Sequence, residues 1–476
     1  MSREAAVLFT LIVYNAILVL IGLLSQRRTK DSLDFFLAGR KLGPMVAAIS
    51  ASASSSSAWT LLGVSGAAYL WGLSALWLFP ACVGGFLLNW YGVAPALQRY
   101  SREVDAMTVT DVLAGPPDRP LHRTLSVTAS LIILVSLGAY VASQFLSAGK
   151  TFYETFEIPV SSSILIGGGI VILYTLLGGF WAVSITDTLQ GLMMAATAVL
   201  LPVAAFMQVG GPSELWDGIS QVGPDYMSLT KNLGPAAALG LIWGYLGIGL
   251  GYPGQPHVVN RFMALREGRR SLVHARRIAI TWALLVYSGM LLLGLCGRVL
   301  YPRLSDPEVV FVSATNELFP PIVAGIMVAA VLSAIMSTAD SQLLVAASSV
   351  THDLKLGGRS TRHMLARSRW VVLLLSAGAM VAALLGSQEI FSSVLFAWTA
   401  MGAAFGPALV TKALGYPLSP RRTLTAMLVG FSLAVAAYYL FPASEDKWIE
   451  RVLPFVAGLL VIIFPWGRRD EDSRAS

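Results

Sequence analysis

Long runs of apolar residues alternate with short polar segments along almost the whole chain. Most runs approach or exceed the about 20 residues that an α-helix needs to cross the hydrocarbon core of a bilayer. Helices pair their own backbone groups, as a bilayer requires. The pattern predicts an all-α polytopic membrane protein with about 13 transmembrane helices, over residues 5–24, 44–70, 71–93, 125–152, 161–177, 180–207, 235–257, 278–300, 321–350, 370–385, 390–414, 424–440 and 452–466.

Two of these runs contain residues that interrupt a helix. Residues 50–57 include six serines, whose hydroxyls compete for backbone groups. Residues 235–257 hold six glycines and two internal prolines, which destabilise a continuous helix. Both runs are therefore predicted to be discontinuous helices that expose oxygens at the membrane midplane, with a break near 53–56 in the first. A tight seam between helices is the alternative for the serines, since small residues let backbones approach.

The two interrupted runs are the second and the seventh, and an odd offset places them antiparallel. Matching interruptions in two halves are the best sequence indication of a transport site. The chain is thus expected to form a single membrane transport domain with a five-plus-five inverted repeat. The first repeat would cover 44–207 and the second 235–414, with an extra helix at 5–24 and two C-terminal helices at 424–466.

The charge of the chain lies mostly between the apolar runs. Only 12% of the 476 residues are charged, 55% are hydrophobic, and the mean hydropathy is +0.69. With the N-terminus outside, 26 of the 33 Lys and Arg fall on the inner side, including a basic loop at 261–277. The positive-inside rule therefore predicts a multi-pass protein of the cell (inner) membrane with a cytoplasmic C-terminus. This topology explains the net charge of +7 without nucleic acid as a partner.

Few residue patterns point to enzymatic chemistry. The sequence contains no Walker loop, no HExxH and no GxSxG motif, which argues against an ATP-driven pump or a hydrolase. Cys82 and Cys296 lie in apolar runs without metal or redox spacing, and the five histidines form no ligand pattern. The chain is therefore expected to be no enzyme and to need no cofactor other than a coupling ion.

Two acidic residues and two hydroxyls stand out inside the apolar runs. Asp187 and Asp340 would be costly in a bilayer and are functional by default, unless Asp187 is hydrated at the end of its helix. Ser337 and Thr338 offer adjacent hydroxyls, and a break in the second run would offer carbonyls. A sodium ion is a hard cation that prefers such oxygens. The alternative is that both hydroxyls bond to their own helix.

Several motifs, in this order and spacing, resemble those of the sodium:solute symporter family. The resemblance extends over about residues 30–415 and implies a five-plus-five inverted-repeat transporter that moves a solute with sodium. It rests on FLAGR (36–40), the serine run up to Trp59, YTLLGGF (174–180), LGYPGQPH (250–257), AIMST (334–338), AW (397–398) and GAAFGP (402–407).

The resemblance also implies three groups of site residues. The main sodium site would use the carbonyls of Ala53, Ser56 and Ala334 and the hydroxyls of Ser337 and Thr338. A second cation would lie at Asp187, Ser337, Asp340 and Ser341, although relatives carry a serine at the position of Asp340. The substrate would contact Ser57, Tyr140, Tyr252 and Pro256.

Family members that import proline differ from this chain at two relevant positions. They have an aspartate where Ser55 stands and a tryptophan where Ile248 stands. The function expected from the resemblance is sodium-coupled import of a small organic solute by alternating access, most naturally an amino acid such as proline. A proton-coupled symporter of a small carboxylate and a passive channel are the alternatives.

Overall fold

A computed structural model describes residues 3–26, 32–175, 180–356, 361–386, 389–441 and 447–464. The expected turn at Gly178–Gly179, part of the basic segment at 27–30, Arg359, and the last run beyond residue 464 lie outside these ranges. The regular structure of the described residues is helical, and only an isolated bridge joins Leu42 to Leu265. The prediction of an all-α protein is confirmed.

The helices follow one another with short connections. They are α1 (Arg3–Gln26), α2 (Ser32–Leu37), α3 (Pro44–Ala58), α4 (Val64–Trp71), α5 (Leu78–Leu87), α6 (Ala94–Glu103), α7 (Val109–Ala114), α8 (His122–Phe156), α9 (Val160–Thr175), α10 (Phe180–Val209), α11 (Pro212–Ser220), α12 (Pro235–Leu250), α13 (Pro256–Ala264), α14 (Arg269–Leu300), α15 (Val310–Leu318), α16 (Pro321–Ser348), α17 (Thr361–Leu385), α18 (Ile390–Ala413), α19 (Pro420–Leu440), α20 (Trp448–Arg451) and α21 (Leu453–Ile463).

Ten helical stretches of the described chain are long and apolar enough to cross a membrane. One of them, Pro44–Glu103, has 60 residues, about three times the length of a single crossing, and Val160–Ile172 is a shorter apolar helix. The long stretch turns at Gly72, whose φ of +62° suits glycine. The exact number of thirteen crossings stays a prediction.

Both predicted discontinuous helices are present. The first is interrupted at Ser57, whose φ of 49° and ψ of −175° are not helical, so the break lies just after the predicted segment 53–56. The second stops at Leu250, passes through a short turn over Tyr252–Gly254, and resumes at Pro256 after extended backbone at Gln255. Backbone of this kind persists at membrane depth only where protein or a polar cavity surrounds it.

The first broken helix lies at the centre of the bundle. It packs against α10, α13, α14 and α16, and every residue from Ala47 to Ala58 is buried. The seam is also tight, because a Cβ added at Gly191 of α10 would lie 2.5 Å from Ile49 Cγ2. The serine run thus contains a helix break and also forms a close-packed seam. The two interpretations of its sequence, a discontinuous helix and a tight helix–helix contact, are both correct.

Helix α1, which lies outside the proposed repeat, is attached to α16. The hydroxyls of Tyr14 and Ser333 are 2.6 Å apart in a buried hydrogen bond. A Cβ at Gly325 would lie 2.9 Å from the side chain of Thr10, so the two helices also touch closely. The opposite face of α1 exposes large apolar side chains such as Phe9 and Ile12, as a lipid-facing surface does.

Close backbone contact between α10 and α14 provides a test of the packing. A Cβ at Gly289 of α14 would lie 1.8 Å from the carbonyl oxygen of Ala198, which is far inside van der Waals contact. We expect Gly289→Ala to lower the thermal unfolding temperature of the purified protein, because the two helices must separate, at a cost of about 1–3 kcal/mol. Gly169→Ala is the control, since no atom of the described residues lies within 4 Å of its added Cβ. Equal melting temperatures for the two variants would contradict this packing.

Candidate functional site

The predicted sodium-binding segments lie against each other. The Thr338 hydroxyl in α16 donates a hydrogen bond to the Ser54 carbonyl in α3 at 3.2 Å. The Ser54 hydroxyl donates to the Ser337 carbonyl, also at 3.2 Å. Ala53, Ser56 and Ala334, whose carbonyls were predicted as ligands, are all fully buried. The structure therefore brings the oxygen-rich part of α16 to the end of the helical segment that precedes the Ser57 break.

The two predicted hydroxyl ligands make different bonds. The Ser337 hydroxyl donates to the Ala334 carbonyl of its own helix at 3.3 Å, which is the local alternative considered for both residues. The Thr338 hydroxyl instead crosses to the broken helix. The Ser56 hydroxyl is buried and makes no hydrogen bond with the described residues. This arrangement leaves uncharged oxygens from two helices close together in a region without exposed groups.

Side chains of Ser57 and of α8 bind the polar groups at the break. The Tyr140 hydroxyl donates to the Ser57 hydroxyl at 3.3 Å, and the Ser57 hydroxyl accepts from the Trp59 amide at 3.1 Å. The Ala58 amide donates to Gln144 Oε1 at 3.2 Å, a contact that no sequence motif indicates. Two of the predicted substrate residues therefore meet at the break itself.

The second break reaches the same region through the start of α13. The ring of His257, which follows the predicted substrate residue Pro256, lies edge-on to the Tyr140 ring with centroids 6.0 Å apart. His257 is fully buried, and its two ring nitrogens make no hydrogen bonds with the described residues. A buried polar ring of this kind next to Tyr140 is a further candidate contact for a polar solute.

Tyr252, the fourth predicted substrate residue, makes its direct contacts with other helices. Its hydroxyl is 2.8 Å from that of Tyr287 in α14, which in turn lies 3.4 Å from the Thr60 hydroxyl. Its ring packs edge-on against Trp398 of α18, with centroids 4.7 Å apart. Tyr252 therefore connects the second break to α14 and α18, and it approaches the first discontinuous helix beyond the break, through Thr60.

Arg261 lies in the interior of the protein, and its expected place in a cytoplasmic basic loop is wrong. It belongs to α13, and its side chain is 1% exposed. Its Nη2 atom is 2.9 Å from Asp187 Oδ2, and its Nε donates to the Ser50 hydroxyl at 3.0 Å. The guanidinium lies 4.9 Å from the centre of the Phe180 ring. Arg261 also donates to the Ser341 hydroxyl at 2.5 Å and to the His257 carbonyl.

Asp187 is buried at this same cluster, so the alternative of a hydrated position at the end of its helix is wrong. Its Oδ2 atom accepts hydrogen bonds from Ser50 at 2.6 Å, Ser54 at 3.1 Å and Arg261. Its Oδ1 atom makes no hydrogen bond with the described residues, and neither does Oδ2 of the fully buried Asp340. Two carboxylates and one guanidinium carry a net charge of −1 when all are ionised. The cluster can therefore accommodate one more positive charge.

A second charged cluster lies on the other side of the Ser57 break. The Nζ atom of Lys150 in α8 is 2.6 Å from Asp306 and 2.7 Å from Glu308. Glu308 also accepts hydrogen bonds from the Ile390 and Phe391 amides at the start of α18. A Cβ added at Gly66 of α4 would lie 2.9 Å from the Cα atom of Glu308. Along the first discontinuous helix, Ser50 thus contacts one charged cluster before the break and Gly66 contacts the other after it.

The sequence carried little signal for the partner of Asp187. Arg261 follows the seventh apolar run and precedes five more arginines of the same loop, so hydropathy groups it with them. The useful signal was the cost of a buried carboxylate, which requires a cation nearby. No sequence pattern singles out Gln144, His257 and Tyr287, because each becomes part of the site only through contacts with distant helices.

The buried ion pair leads to a double-mutant test. We expect Arg261→Met to destabilise the purified protein by about 3–5 kcal/mol, because Asp187 then loses its cation in a region of low dielectric. Adding Asp187→Asn should recover part of this loss, since both buried charges are then removed. Thermal unfolding in one detergent measures both effects, with Arg269→Met on the exposed start of α14 as control. A single variant as stable as the parent, or a double variant no better than the single, would contradict the pairing.

Comparison with known proteins agrees with this geometry. The family model of the sodium:solute symporter family matches residues 35–430. The osmoregulated proline transporter OpuE of Bacillus subtilis is 34% identical over 96% of this chain and 94% of its own length. The sodium/proline symporter of Escherichia coli is 34% identical over 90% of this chain and 87% of its own.

Two solved structures share the fold at low sequence identity. A Na+-coupled sialic acid symporter, in a substrate-bound outward-open state, has a TM-score of 0.78 with 17% identity, over 97% of this chain and 96% of that one. MhsT in complex with L-phenylalanine has a TM-score of 0.55 with 13% identity, over 88% and 97%. The predicted inverted-repeat transporter fold and the resemblance noted in the motifs are both confirmed. The chain belongs to the sodium:solute symporter family, whose members are transporters rather than enzymes.

Proposed function

We propose that this protein imports proline, or a similar small amino acid, together with sodium by alternating access. The observation that carries the proposal is the contact of α16 with the broken helix, where Thr338 bonds to the Ser54 carbonyl. Relatives that cover most of the chain are named as proline transporters, and one solved structure of the same fold is a Na+-coupled symporter. Together these observations favour a coupled carrier over a passive channel.

The main sodium ion would lie between the end of the first helical segment and α16. Carbonyls of Ala53, Ser56 and Ala334 would supply three oxygens, and the hydroxyls of Ser337 and Thr338 two more. The Ser337 hydroxyl already bonds to the Ala334 carbonyl, and the Thr338 hydroxyl bonds to the Ser54 carbonyl next to Ala53. A small rotation of each hydroxyl would turn its lone pairs to an ion. Five oxygens would then replace much of the hydration shell of the ion without a formal negative charge.

A second cation would be held at Asp187, Ser337, Asp340 and Ser341. The proposal of this second site is supported by the buried cluster of Asp187, Asp340 and Arg261. Each of the two carboxylates has one oxygen that makes no hydrogen bond with the described residues. Arg261 shares this space and binds both Asp187 and Ser341, so an entering ion would have to compete with it. A proton could occupy the same place as a sodium ion, which keeps proton coupling as the second candidate.

The substrate would bind where the two breaks face each other. Ser57 and Tyr140 lie at the first break, and Pro256 and Tyr252 flank the second. Half-helices begin at both breaks, and their amino ends attract a carboxylate. The side chains of Ser57, Tyr140 and Tyr252 are at most 2% exposed, so access from either side requires the surrounding helices to move. Ser55 and Ile248, which differ from proline-importing members of the family, lie in the same two broken helices and would adjust ion coupling and pocket shape.

The two charged clusters are suited to close the opposite ends of this pathway. Arg261 and Asp187 join α13 to α10 before the break, and Lys150 and Glu308 join α8 to α18 beyond it. Alternating access then consists of opening one cluster while the other stays closed. With the N-terminus outside and the C-terminus in the cytoplasm of an inner-membrane protein, the membrane potential would contribute ~2.3 kcal/mol per charge per 100 mV to inward sodium movement.

Uptake in proteoliposomes tests the coupling ion. Labelled proline should accumulate with an inward sodium gradient and should not accumulate when choline replaces sodium at constant pH. The double variant Ser337→Ala, Thr338→Ala should lose at least about tenfold in sodium stimulation, because two ligand hydroxyls disappear. Ser288→Ala, an exposed serine bonded within α14, is the control. Normal sodium dependence in the double variant would overturn the site assignment, and proline uptake that follows a proton gradient alone would favour the second candidate.

The substrate side is tested by Tyr140→Phe, which removes only the hydroxyl that bonds to Ser57. We expect the KM for proline to rise by about 2–10-fold, since a buried hydrogen bond contributes about 0.5–1.5 kcal/mol. The concentration of sodium for half-maximal uptake should change little, because Tyr140 is no predicted sodium ligand. Tyr153→Phe, on the exposed end of the same helix, is the control. An unchanged KM, or an equal effect on sodium and substrate, would contradict the assignment.

A further inference from the structure

Three metal-ligating side chains converge at the end of α16 that lies beyond Asp340. Asp111 comes from α7, while His352 and Asp353 come from the last helical turn, Ser349–Asp353. One ligand atom from each residue lies within 4.8 Å of those of the other two. The sequence shows no ligand pattern for His352, because its partner Asp111 is 241 positions away.

Two of these ligands are held in fixed positions. Asp111 closes a capping box with Thr108 at the start of α7, and its Oδ2 atom accepts the amides of Thr108 at 3.1 Å and Met107 at 2.9 Å. His352 Nε2 is 3.0 Å from the same oxygen. The ring of Phe36 packs against the imidazole, with centroids 5.7 Å apart. The carboxylate and the imidazole are thus positioned before any ion arrives.

Asp353 supplies a second, independent observation that favours a cation site here. The residue is 6% exposed, and its Oδ1 atom accepts a hydrogen bond from the Thr108 hydroxyl at 2.8 Å. Its Oδ2 atom is buried and makes no hydrogen bond with the described residues. A buried carboxylate oxygen without a partner is costly, and a cation next to it would remove that cost.

We propose that Asp111, His352 and Asp353 form a binding site for a divalent transition-metal ion of the Zn2+ class. One imidazole nitrogen and two carboxylate oxygens are ligands that Zn2+ accepts, with water as a fourth. Mg2+ and Ca2+ prefer six or more oxygens and gain little from an imidazole. Asp111 and His352 side chains are each 26% exposed, so an ion can reach the site from solvent. The histidine nitrogen that binds the ion must be free of hydrogen, so a proton leaves His352 Nε2 if that atom is the ligand.

Nearby positive charge limits the affinity. Arg123 donates to the carbonyls of Asp353 and Leu354 at 3.2 and 3.3 Å. Lys355 adds a second positive charge two residues after Asp353. The site also offers three protein ligands rather than the four of a structural zinc site. These features describe an exchangeable ion that joins α7, in the first half of the chain, to the end of α16, in the second half.

Cobalt binding to the purified full-length protein tests the site without a transport assay. Co2+ takes the place of Zn2+ and gives visible absorption when nitrogen and oxygen ligands surround it. After treatment with a chelator, we expect one Co2+ per chain, displaced by Zn2+ and unaffected by excess Mg2+. Two single variants remove one ligand each. Asp353→Asn retains the oxygen that bonds to Thr108, and His352→Gln removes the imidazole. Each variant should lower the Co2+ affinity by at least about tenfold.

The control is His274→Gln, since that imidazole is exposed on α14 and is hydrogen-bonded to the Arg270 carbonyl of its own helix. Size-exclusion profiles and thermal unfolding without metal establish that each variant is folded. Equal Co2+ binding by the parent, Asp353→Asn and His352→Gln would overturn the proposal, as would a loss of binding in His274→Gln. Displacement of Co2+ by Mg2+ as effectively as by Zn2+ would overturn the assignment of metal class.

Discussion

The bilayer offers no hydrogen bonds, so each helix that breaks inside it must be satisfied by its neighbours. The break at Ser57 meets this constraint with side chains from three directions: its own hydroxyl binds the Trp59 amide, Gln144 binds the Ala58 amide, and Thr338 binds the Ser54 carbonyl. Two of these partners come from α8 and α16, and the third is Ser57 itself. The packing of the bundle is therefore constrained by a few backbone groups that need hydrogen-bond partners.

The same constraint governs the buried charges. Arg261 contacts four helices through Ser50, Asp187, Ser341 and its own α13 backbone. A guanidinium in such a place is stable only while carboxylates neutralise it, and carboxylates there are stable only while a cation remains. Any movement that separates α13 from α10 must therefore supply replacement charge or water. This coupling of helix position to local charge is what a transporter driven by an ion requires.

The architecture was readable from the sequence because it rests on repeated, local signals. Runs of apolar residues predict the helices, and the serines before Trp59 and the glycines and prolines at 240–256 predict both breaks. The position of the first break was less well determined, since six neighbouring serines give no preference for Ser57. The motif AIMST located Ser337 and Thr338, and the structure places them against the broken helix as expected.

What the sequence did not reveal depends on contacts between distant residues. Arg261 resembles its arginine neighbours until α13 is seen to turn into the bundle. Asp111 and His352 lie in different halves of the chain, and each alone is an ordinary polar residue outside the apolar runs. Such pairs produce no periodic pattern in the sequence, so they are identified only from the three-dimensional structure.

The hydrogen bond between Tyr14 and Ser333 gives α1 a defined mechanical role. Ser333 is one helical turn from Ser337, so α1 is fastened to the segment of α16 beside the proposed ion site. Any tilt of α16 would therefore carry along a helix whose outer face contacts lipid, and the thickness and stiffness of the surrounding membrane would act directly on the rate of the transport cycle.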